Sequence, residues 1–123
     1  MLTIFSCPKP FRGHVNITQR NAIKSWLLIE PKPDIILLGS DEGVSEVADE
    51  YDLHHIPHVD CNEFGTPLIS SLFEEAEKAA VSSFMCYVNA DIIFLQDFMD
   101  GIRVVQEEMP NSLMVGRRWN VDI

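Results

Sequence analysis

The sequence predicts an α/β protein whose β-sheet is mainly parallel and is flanked by helices on both faces. Short apolar segments typical of strands alternate along the chain with segments of helical periodicity. The strand segments are apolar at nearly every position, as expected for strands that are covered on both faces. A length of 123 residues corresponds to one domain, spanning 1–123.

The first third of the chain predicts a strand, a helix and a second strand. Leu2–Ser6 is a short apolar run, and it ends where two prolines exclude both a helix and a central sheet position. Asn16 and Gln19 have capping-box spacing, so we expect a helix that begins there and runs to Glu30, where two further prolines stop it. Asp34–Leu38 is the second strand, closed by a turn rich in Gly, Asp and Glu.

The middle of the chain predicts a short helix, a short strand and a long helix. Residues 44–52 form an acidic helical segment, and residues 54–59 form a third strand that a proline interrupts. Thr66 and Pro67 suit an N-cap and a first helical position. A wide apolar stripe then continues the third helix to Ala80.

The last third predicts a central strand, a helix and a fifth strand. Residues 84–94, FMCYVNADIIF, supply the fourth strand, which we expect to be central, with Tyr87 and Val88 in the sheet and the third and fourth helices on its faces. Residues 113–115 are predicted as the fifth strand. The fourth helix is predicted because apolar residues recur at helical spacing and should face the sheet at Ile102 and Val105: Phe98, Ile102, Val105 and Met109.

Charge and composition exclude several classes of function. The formal net charge is −10 at pH 7, and no cluster of Lys and Arg suits a nucleic-acid backbone. No apolar run approaches the roughly 20 residues of a membrane span. The cysteines are three in number and show no CxxC spacing, which favours reduced thiols. We therefore expect a cytoplasmic protein without a membrane segment.

The polar island Asn89-Ala90-Asp91 follows the predicted fourth strand. In an extended chain Asn89 and Asp91 point the same way, at the carboxyl end of a parallel strand, where ligands bind in such sheets. An amide oxygen and a carboxylate together suit Mg²⁺ or Mn²⁺ with positions left for phosphate oxygens. The alternative is an Asx turn that ends the strand.

Four segments together resemble the nucleotide-diphospho-sugar glycosyltransferases of the GT-A fold, a Rossmann-like core. The segments are Thr3-Ile4-Phe5 with Pro8 and Phe11, the strand and acidic turn from Asp34 to Asp41, Gly65-Thr66-Pro67, and YVNADIIF. In this family a D-x-D motif after an apolar strand binds Mn²⁺ or Mg²⁺, which holds the donor's diphosphate. Asn89 replaces the first Asp of that motif and Asp91 keeps the last, so the metal ligands implied are Asp91 and Asn89.

The resemblance implies further roles in binding the donor. The loop containing Cys7, Pro8, Lys9 and Phe11 would lie against the base and ribose, Arg12 would contact a phosphate, and Asp41 would accept the N3–H of uracil. The N-terminus of the third helix, at Thr66, would face the ligand, and Ala90 would lie within the motif. The alternatives are a rigid turn, a surface arginine, a solvated turn carboxylate and a simple helix cap.

The end of the sequence adds basic and acidic candidates. Arg117 and Arg118 would contact the donor sugar or diphosphate, and the alternative is a solvated basic turn. Asp91 is a candidate catalytic residue through the cation, and Asp122 is a second, as a catalytic or acceptor-orienting carboxylate. The chain matches only the nucleotide-binding part of a typical GT-A domain, so we expect acceptor surface to come from a homo-oligomer.

The function predicted is a metal-dependent glycosyltransferase that uses a UDP-sugar donor and an unidentified acceptor. The alternative is a sugar-nucleotide-binding module that acts with a partner chain. A zinc site at His54, His55, His58 and Cys61 is disfavoured because neighbouring strand residues point to opposite faces. Neither a dinucleotide-binding nor a P-loop glycine pattern is present.

Overall fold

A computed structural model of the chain describes residues 2–80, 82 and 84–109. Strands and helices alternate throughout this part of the chain, as predicted. In order, they are β1 (Leu2–Ser6), α1 (Gly13–Leu27), β2 (Asp34–Leu38), α2 (Val44–Glu50), β3 (His54–Ile56), α3 (Ile69–Ala79), β4 (Phe84–Tyr87) and α4 (Gln96–Glu108). The predicted fifth strand, residues 113–115, lies outside the described residues.

The four described strands form one sheet in the order β3-β2-β1-β4, and each pair is parallel. This confirms the mainly parallel sheet. All five residues of β1 are buried, because β1 has a strand on each side and helices over both faces. The middle of this sheet therefore belongs to β1 and β2. The central position predicted for the fourth strand is not found in the described part of the chain, where β4 stands at one end.

Helices cover both faces of the sheet. Alternate residues of β1 and β2 pack under α1, α2 and α4 in the larger core cluster, and the intervening residues pack under α3 in a smaller one. The larger cluster includes Trp26, which is fully buried and donates its indole N–H to the carbonyl of Ile92 at 2.8 Å. The sheet buries Leu2, Ile4, Ile35 and Leu37 on the larger side and Phe5, Ile36 and Leu38 on the smaller.

The predicted start of the first helix is wrong. Helix α1 begins at Gly13, and Arg12 is its extended N-cap residue. Asn16 lies inside the helix and accepts a hydrogen bond from Arg20 Nε at 2.9 Å. Gln19 is buried and contacts the loop after β1, so the two residues do not form a capping box.

The predicted start of the third helix is also wrong. Its N-cap residue is Leu68, and Thr66 and Pro67 belong to the preceding loop. The side-chain carbonyl of Asn62 accepts the backbone N–H of Thr66 at 3.0 Å, which holds that loop in a closed turn. The Thr66 backbone is therefore already committed to Asn62 and does not open α3.

The ends of five elements come earlier than predicted. The fourth strand, predicted over residues 84–94, stops at Tyr87, because the chain turns at Asn89. Helix α3 stops at Ala79, one residue before the predicted end.

The other three ends belong to α1, α2 and β3. Helix α1 stops at Leu27, before Glu30. Helix α2 stops at Glu50, since Asp52 adopts a positive φ of 56° that continues no helix. Strand β3 stops at Ile56, where the following proline cannot donate to a ladder. No helix among the described residues has the length and apolar character needed to cross a bilayer.

The packing of α4 generates the first prediction. Ile102 is 4% exposed and belongs to the larger core cluster, as predicted, and Val105 is half-buried. Replacing Ile102 with Ala should lower the free energy of unfolding by about 2–5 kcal/mol, because it removes buried methyl groups and leaves a cavity. Urea denaturation measures this loss. Val104→Ala, at a side chain that is 53% exposed, is the control and should change stability little. Equal effects of the two changes would contradict this packing.

Candidate functional site

The loop between β1 and α1 is shaped by a buried glutamine. Pro8 and Pro10 have no N–H, so Lys9 carries the free backbone donor between them. The Gln19 side chain accepts that N–H at 2.8 Å and donates to the Lys9 carbonyl at 2.9 Å. Because Gln19 is 2% exposed, both bonds are shielded from water. The loop predicted to lie against a base and ribose is therefore fixed to α1, with the Lys9 side chain exposed.

The same loop is locked to the turn after β2. The backbone N–H of Phe11 donates to the carbonyl of Glu42 at 2.8 Å. Gly43 has φ of +87°, and a Cβ added there would lie 2.7 Å from the Cβ of Phe11. Only glycine therefore allows this close approach of the two loops.

Arg12 and Asp41 lie at the rim of these two loops. Arg12, predicted to contact a phosphate, forms an ion pair with Glu42 in which both side chains are mostly exposed. Such a surface pair contributes little stability, so Arg12 can exchange Glu42 for another anion at small cost. Asp41 is exposed in the turn after β2 and precedes Glu42 of this pair in the sequence.

The end of β4 is tied to β1. The N–H of Val88 donates to the Phe5 carbonyl at 3.2 Å, and the Ser6 hydroxyl donates to the Val88 carbonyl at 2.5 Å. These bonds extend the β1–β4 ladder beyond the last residue of β4. The chain then turns, with the N–H of Ile92 donating to the Asn89 carbonyl at 3.2 Å.

This turn exposes the two residues of interest. Asn89 and Asp91 are exposed on either side of the buried Ala90, so Ala90 can offer a ligand only its backbone. Neither the Asn89 amide nor the Asp91 carboxylate makes a side-chain hydrogen bond to any residue of the described chain, 2–80, 82 and 84–109. An Asx turn would require such a bond from Asn89. The strand is ended by backbone hydrogen bonds, and both polar side chains point into solvent.

Groups from several strand ends influence one another electrostatically at this edge. Burial raises the pKa of the Cys7 thiol, and nearby Asp41 and Cys61 raise it further. Burial also raises the pKa of Tyr87, with a smaller contribution from Cys7. Four segments therefore converge here: the ends of β1, β2 and β4, and the loop that contains Cys61. The carboxyl edge of the sheet is a shared surface, as the topology predicted.

Cys7 and Cys86 are protonated at neutral pH. Burial raises the pKa of Cys86 to about 11, and the pKa of Cys7 also lies above its ordinary value. Because the thiolate is the nucleophile and the metal ligand, neither side chain suits these roles without a partner that lowers its pKa.

Thr66 lies in a loop that is fastened to α3. The Asp60 N–H donates to the Ser71 hydroxyl at 2.9 Å, and the Leu68 N–H donates to the Asp60 carbonyl at 2.8 Å. Cys61 and Pro67 form an isolated antiparallel bridge within this loop. Thr66 itself is exposed, so its hydroxyl is available at the surface, although not as a helix cap.

The described residues contain no group of three or more His, Cys, Asp or Glu side chains arranged to hold a metal ion. A cation at Asp91 and Asn89 would thus have two protein side chains and would take further oxygens from a bound diphosphate, which is how Mg²⁺ is often held. The zinc interpretation gains no support. The His55 ring nitrogen lies 2.7 Å from the Gly39 carbonyl, and His58 lies 3.6 Å from Asp60.

A surface cavity of about 360 Å³ lies at the amino ends of the strands, opposite the carboxyl edge of the sheet. Its lining includes Thr3, Asp34 and His54, at the amino ends of β1, β2 and β3. It is therefore separate from the loops around Asp41 and Asp91. Three predicted site residues, Arg117, Arg118 and Asp122, lie outside the described residues.

No protein-family model matches the sequence, and no curated protein proves similar to it. The resemblance to GT-A glycosyltransferases consequently remains a prediction from the residues quoted above.

Gln19 is the residue of this site that sequence reasoning missed. A glutamine ten residues after Lys9, the middle residue of a Pro-x-Pro loop, was the available signal, since that loop leaves one backbone N–H without a local partner. Gln19→Glu should destabilise the protein by at least about 2 kcal/mol at neutral pH, because a carboxylate would face the Lys9 carbonyl without a proton to donate. Urea unfolding measures the loss.

The stability of Gln19→Glu should also depend on pH. Contact with the Lys9 carbonyl should raise the pKa of the carboxyl introduced by Gln19→Glu above its unfolded value of about 4.3. The variant should therefore be closest to wild type below that pH and lose stability as pH rises. Asn21→Asp, the same change of amide to carboxylate at an exposed site of α1, is the control. A pH-independent loss would show that the carboxylate does not face the carbonyl.

Gly43 supplies a third prediction. Gly43→Ala and Gly65→Ala both place a side chain at positive φ, at +87° and +80°, and each should cost about 1–2 kcal/mol in backbone strain. Only at Gly43 does the new methyl group meet Phe11, which should add about 1–3 kcal/mol. Thermal and urea unfolding of the two variants measure the difference. Similar losses in both would mean that the two loops separate at no cost.

Proposed function

We propose that this protein is a metal-dependent glycosyltransferase that uses a nucleotide-sugar donor, with UDP-sugars favoured. The observation that carries the proposal is the environment of Asn89 and Asp91. Both side chains are exposed at the carboxyl edge of a parallel sheet, next to the convergent loops, and no described residue hydrogen-bonds to them. Polar groups that are fixed by their backbone but not used by the fold are suited to a ligand.

The net charge of −10 makes a cation important for this function. An acidic protein repels a diphosphate, and the exposed carboxylate of Asp91 would hold Mn²⁺ or Mg²⁺, with Asn89 contributing directly or through a water molecule. A divalent cation so bound would offset the repulsion and stabilise the negative charge that grows on the departing UDP. Asp91 acts here by binding and positioning.

The preference for uracil rests on Asp41. An exposed carboxylate accepts hydrogen bonds, and uracil offers an N3–H donor, whereas N3 of cytosine is an acceptor. The contact between Phe11 and Gly43 holds the turn that carries Asp41 against the loop that contains Pro8, so a base bound there would meet two loops of fixed relative position. Arg12, freed from Glu42, and the exposed Lys9 would supply positive charge near the donor.

A sugar-nucleotide-binding module that acts with a partner chain is the second candidate. The acceptor and the homo-oligomeric state remain predictions from the sequence. Slow, metal-dependent release of UDP from a UDP-sugar would favour the enzyme, whereas binding without turnover would favour the module.

Calorimetry with UDP and Mn²⁺ tests the proposed site. Asp91→Ala should abolish metal-dependent binding and leave the unfolding temperature nearly unchanged, because the carboxylate makes no side-chain hydrogen bond within the described chain. Asn89→Asp should keep or strengthen metal binding, since it adds a second carboxylate oxygen donor.

The control is Asp49→Ala, which removes an exposed carboxylate from α2 and should leave nucleotide affinity unaltered. Equal affinity in wild type, Asp91→Ala and Asn89→Asp, or binding that is independent of Mn²⁺ in the wild type, would refute the metal site.

A further inference from the structure

Tyr87 is held rigidly at the end of β4. It pairs with Phe5 in the parallel ladder and lies two residues before Asn89. Its ring centroid is 5.5 Å from that of Phe5 and 5.9 Å from that of Phe73 on α3. Phe5 and Phe73 also contact each other edge to face at 4.9 Å. A ring fixed by two aromatic neighbours holds its hydroxyl in a defined place.

The polar end of Tyr87 is not used by the fold. The residue is 37% exposed, and its hydroxyl makes no hydrogen bond within the described part of the chain. A phenolic O–H can both donate and accept a hydrogen bond. Tyr87 is the last residue of β4, so its side chain stands at the carboxyl edge of the sheet.

The strand order shows which other groups at the carboxyl edge lie near Tyr87. Along the edge, Asp41 follows β2, Cys7 follows β1, and Asp91 lies just beyond β4, and these three strands are neighbours in that order. Adjacent strands lie about 4.8 Å apart, so the ends of β2 and β4 are separated by about 10 Å. A nucleoside diphosphate has the same order of groups, with the ribose between base and diphosphate. A base at Asp41 and a diphosphate at Asp91 leave the ribose between β1 and β4.

We propose that Tyr87 is a ligand-binding residue whose hydroxyl hydrogen-bonds a ribose hydroxyl of the nucleotide donor. The inference rests on the proposed function and adds to it the residue that recognises the sugar of the nucleotide. Phenylalanine would fill the space between Phe5 and Phe73 equally well, so the hydroxyl is the part that packing does not explain.

Tyr87→Phe tests this directly, because it removes one oxygen and keeps the ring. Calorimetry in the presence of Mn²⁺ would compare UDP, 2′-deoxy-UDP and 3′-deoxy-UDP with wild type and variant. We expect Tyr87→Phe to weaken UDP binding about 3- to 10-fold, the loss typical of one hydrogen bond. For the analogue that lacks the contacted hydroxyl, wild type and variant should bind equally. Tyr51→Phe is the matched control, since Tyr51 follows α2 and interacts with Arg20.

The outcomes separate this inference from the proposed function. If the wild type binds none of the three nucleotides, the proposed function and this inference both fail. If it binds UDP and Tyr87→Phe binds UDP equally well, the role of Tyr87 fails and the proposed function stands. A loss of the same size for all three nucleotides would also overturn the ribose contact.

Discussion

The contact between Ser6 and Val88 is the constraint on which the arrangement of the site depends. Ser6 is fully buried, and its hydroxyl reaches the Val88 carbonyl, while the Phe5 carbonyl receives the Val88 N–H. The β1–β4 ladder thereby continues one residue past the end of β4. It fixes where the following turn begins at the carboxyl end of the sheet. A buried carbonyl deprived of this donor would incur a desolvation cost of about 1–3 kcal/mol. The exposed side chains at Asn89 and Asp91 owe their position to this buried contact.

The neighbouring loops depend on two prolines that have no backbone N–H and on a glycine that has no side chain. Pro8 and Pro10 lack a donor, so the loop takes its hydrogen bonds from Gln19 on α1. Gly43 lacks a side chain, so the turn after β2 can touch Phe11. The two loops are therefore restrained by their contacts with α1 and with each other. Restrained backbones of this kind can hold exposed side chains in place even where those side chains make no hydrogen bonds.

Sequence patterns predicted the first two strands well, because a strand buried on both faces is a continuous apolar run that can be recognised without knowing its neighbours. Both Leu2–Ser6 and Asp34–Leu38 match the structure at both ends. The predicted helix starts were wrong where the residues of the capping pattern form hydrogen bonds with a loop. Gln19 bonds Lys9 and not a helix N-terminus, and Thr66 is captured by Asn62. Local spacing carries no information about such contacts.

The order of the strands could not be predicted from the sequence for a related reason. Apolar character reports burial, and the runs at β1, β2 and β4 are similar in that respect, so their order depends on chain crossovers that local patterns do not encode. The edge that carries the candidate site followed from strand alternation alone. The link of Cys7 to Tyr87 and Asp41 depended on knowing which strands are neighbours.

Strand β3 has a consequence for how copies of the chain meet. It ends one side of the described sheet, spans three residues, carries two histidines and is followed at once by Pro57. A short polar edge that stops at a proline offers a poor template for a strand from another molecule. This border of the sheet is thereby protected against side-by-side growth into larger aggregates. Specific self-association would have to use a different part of the surface.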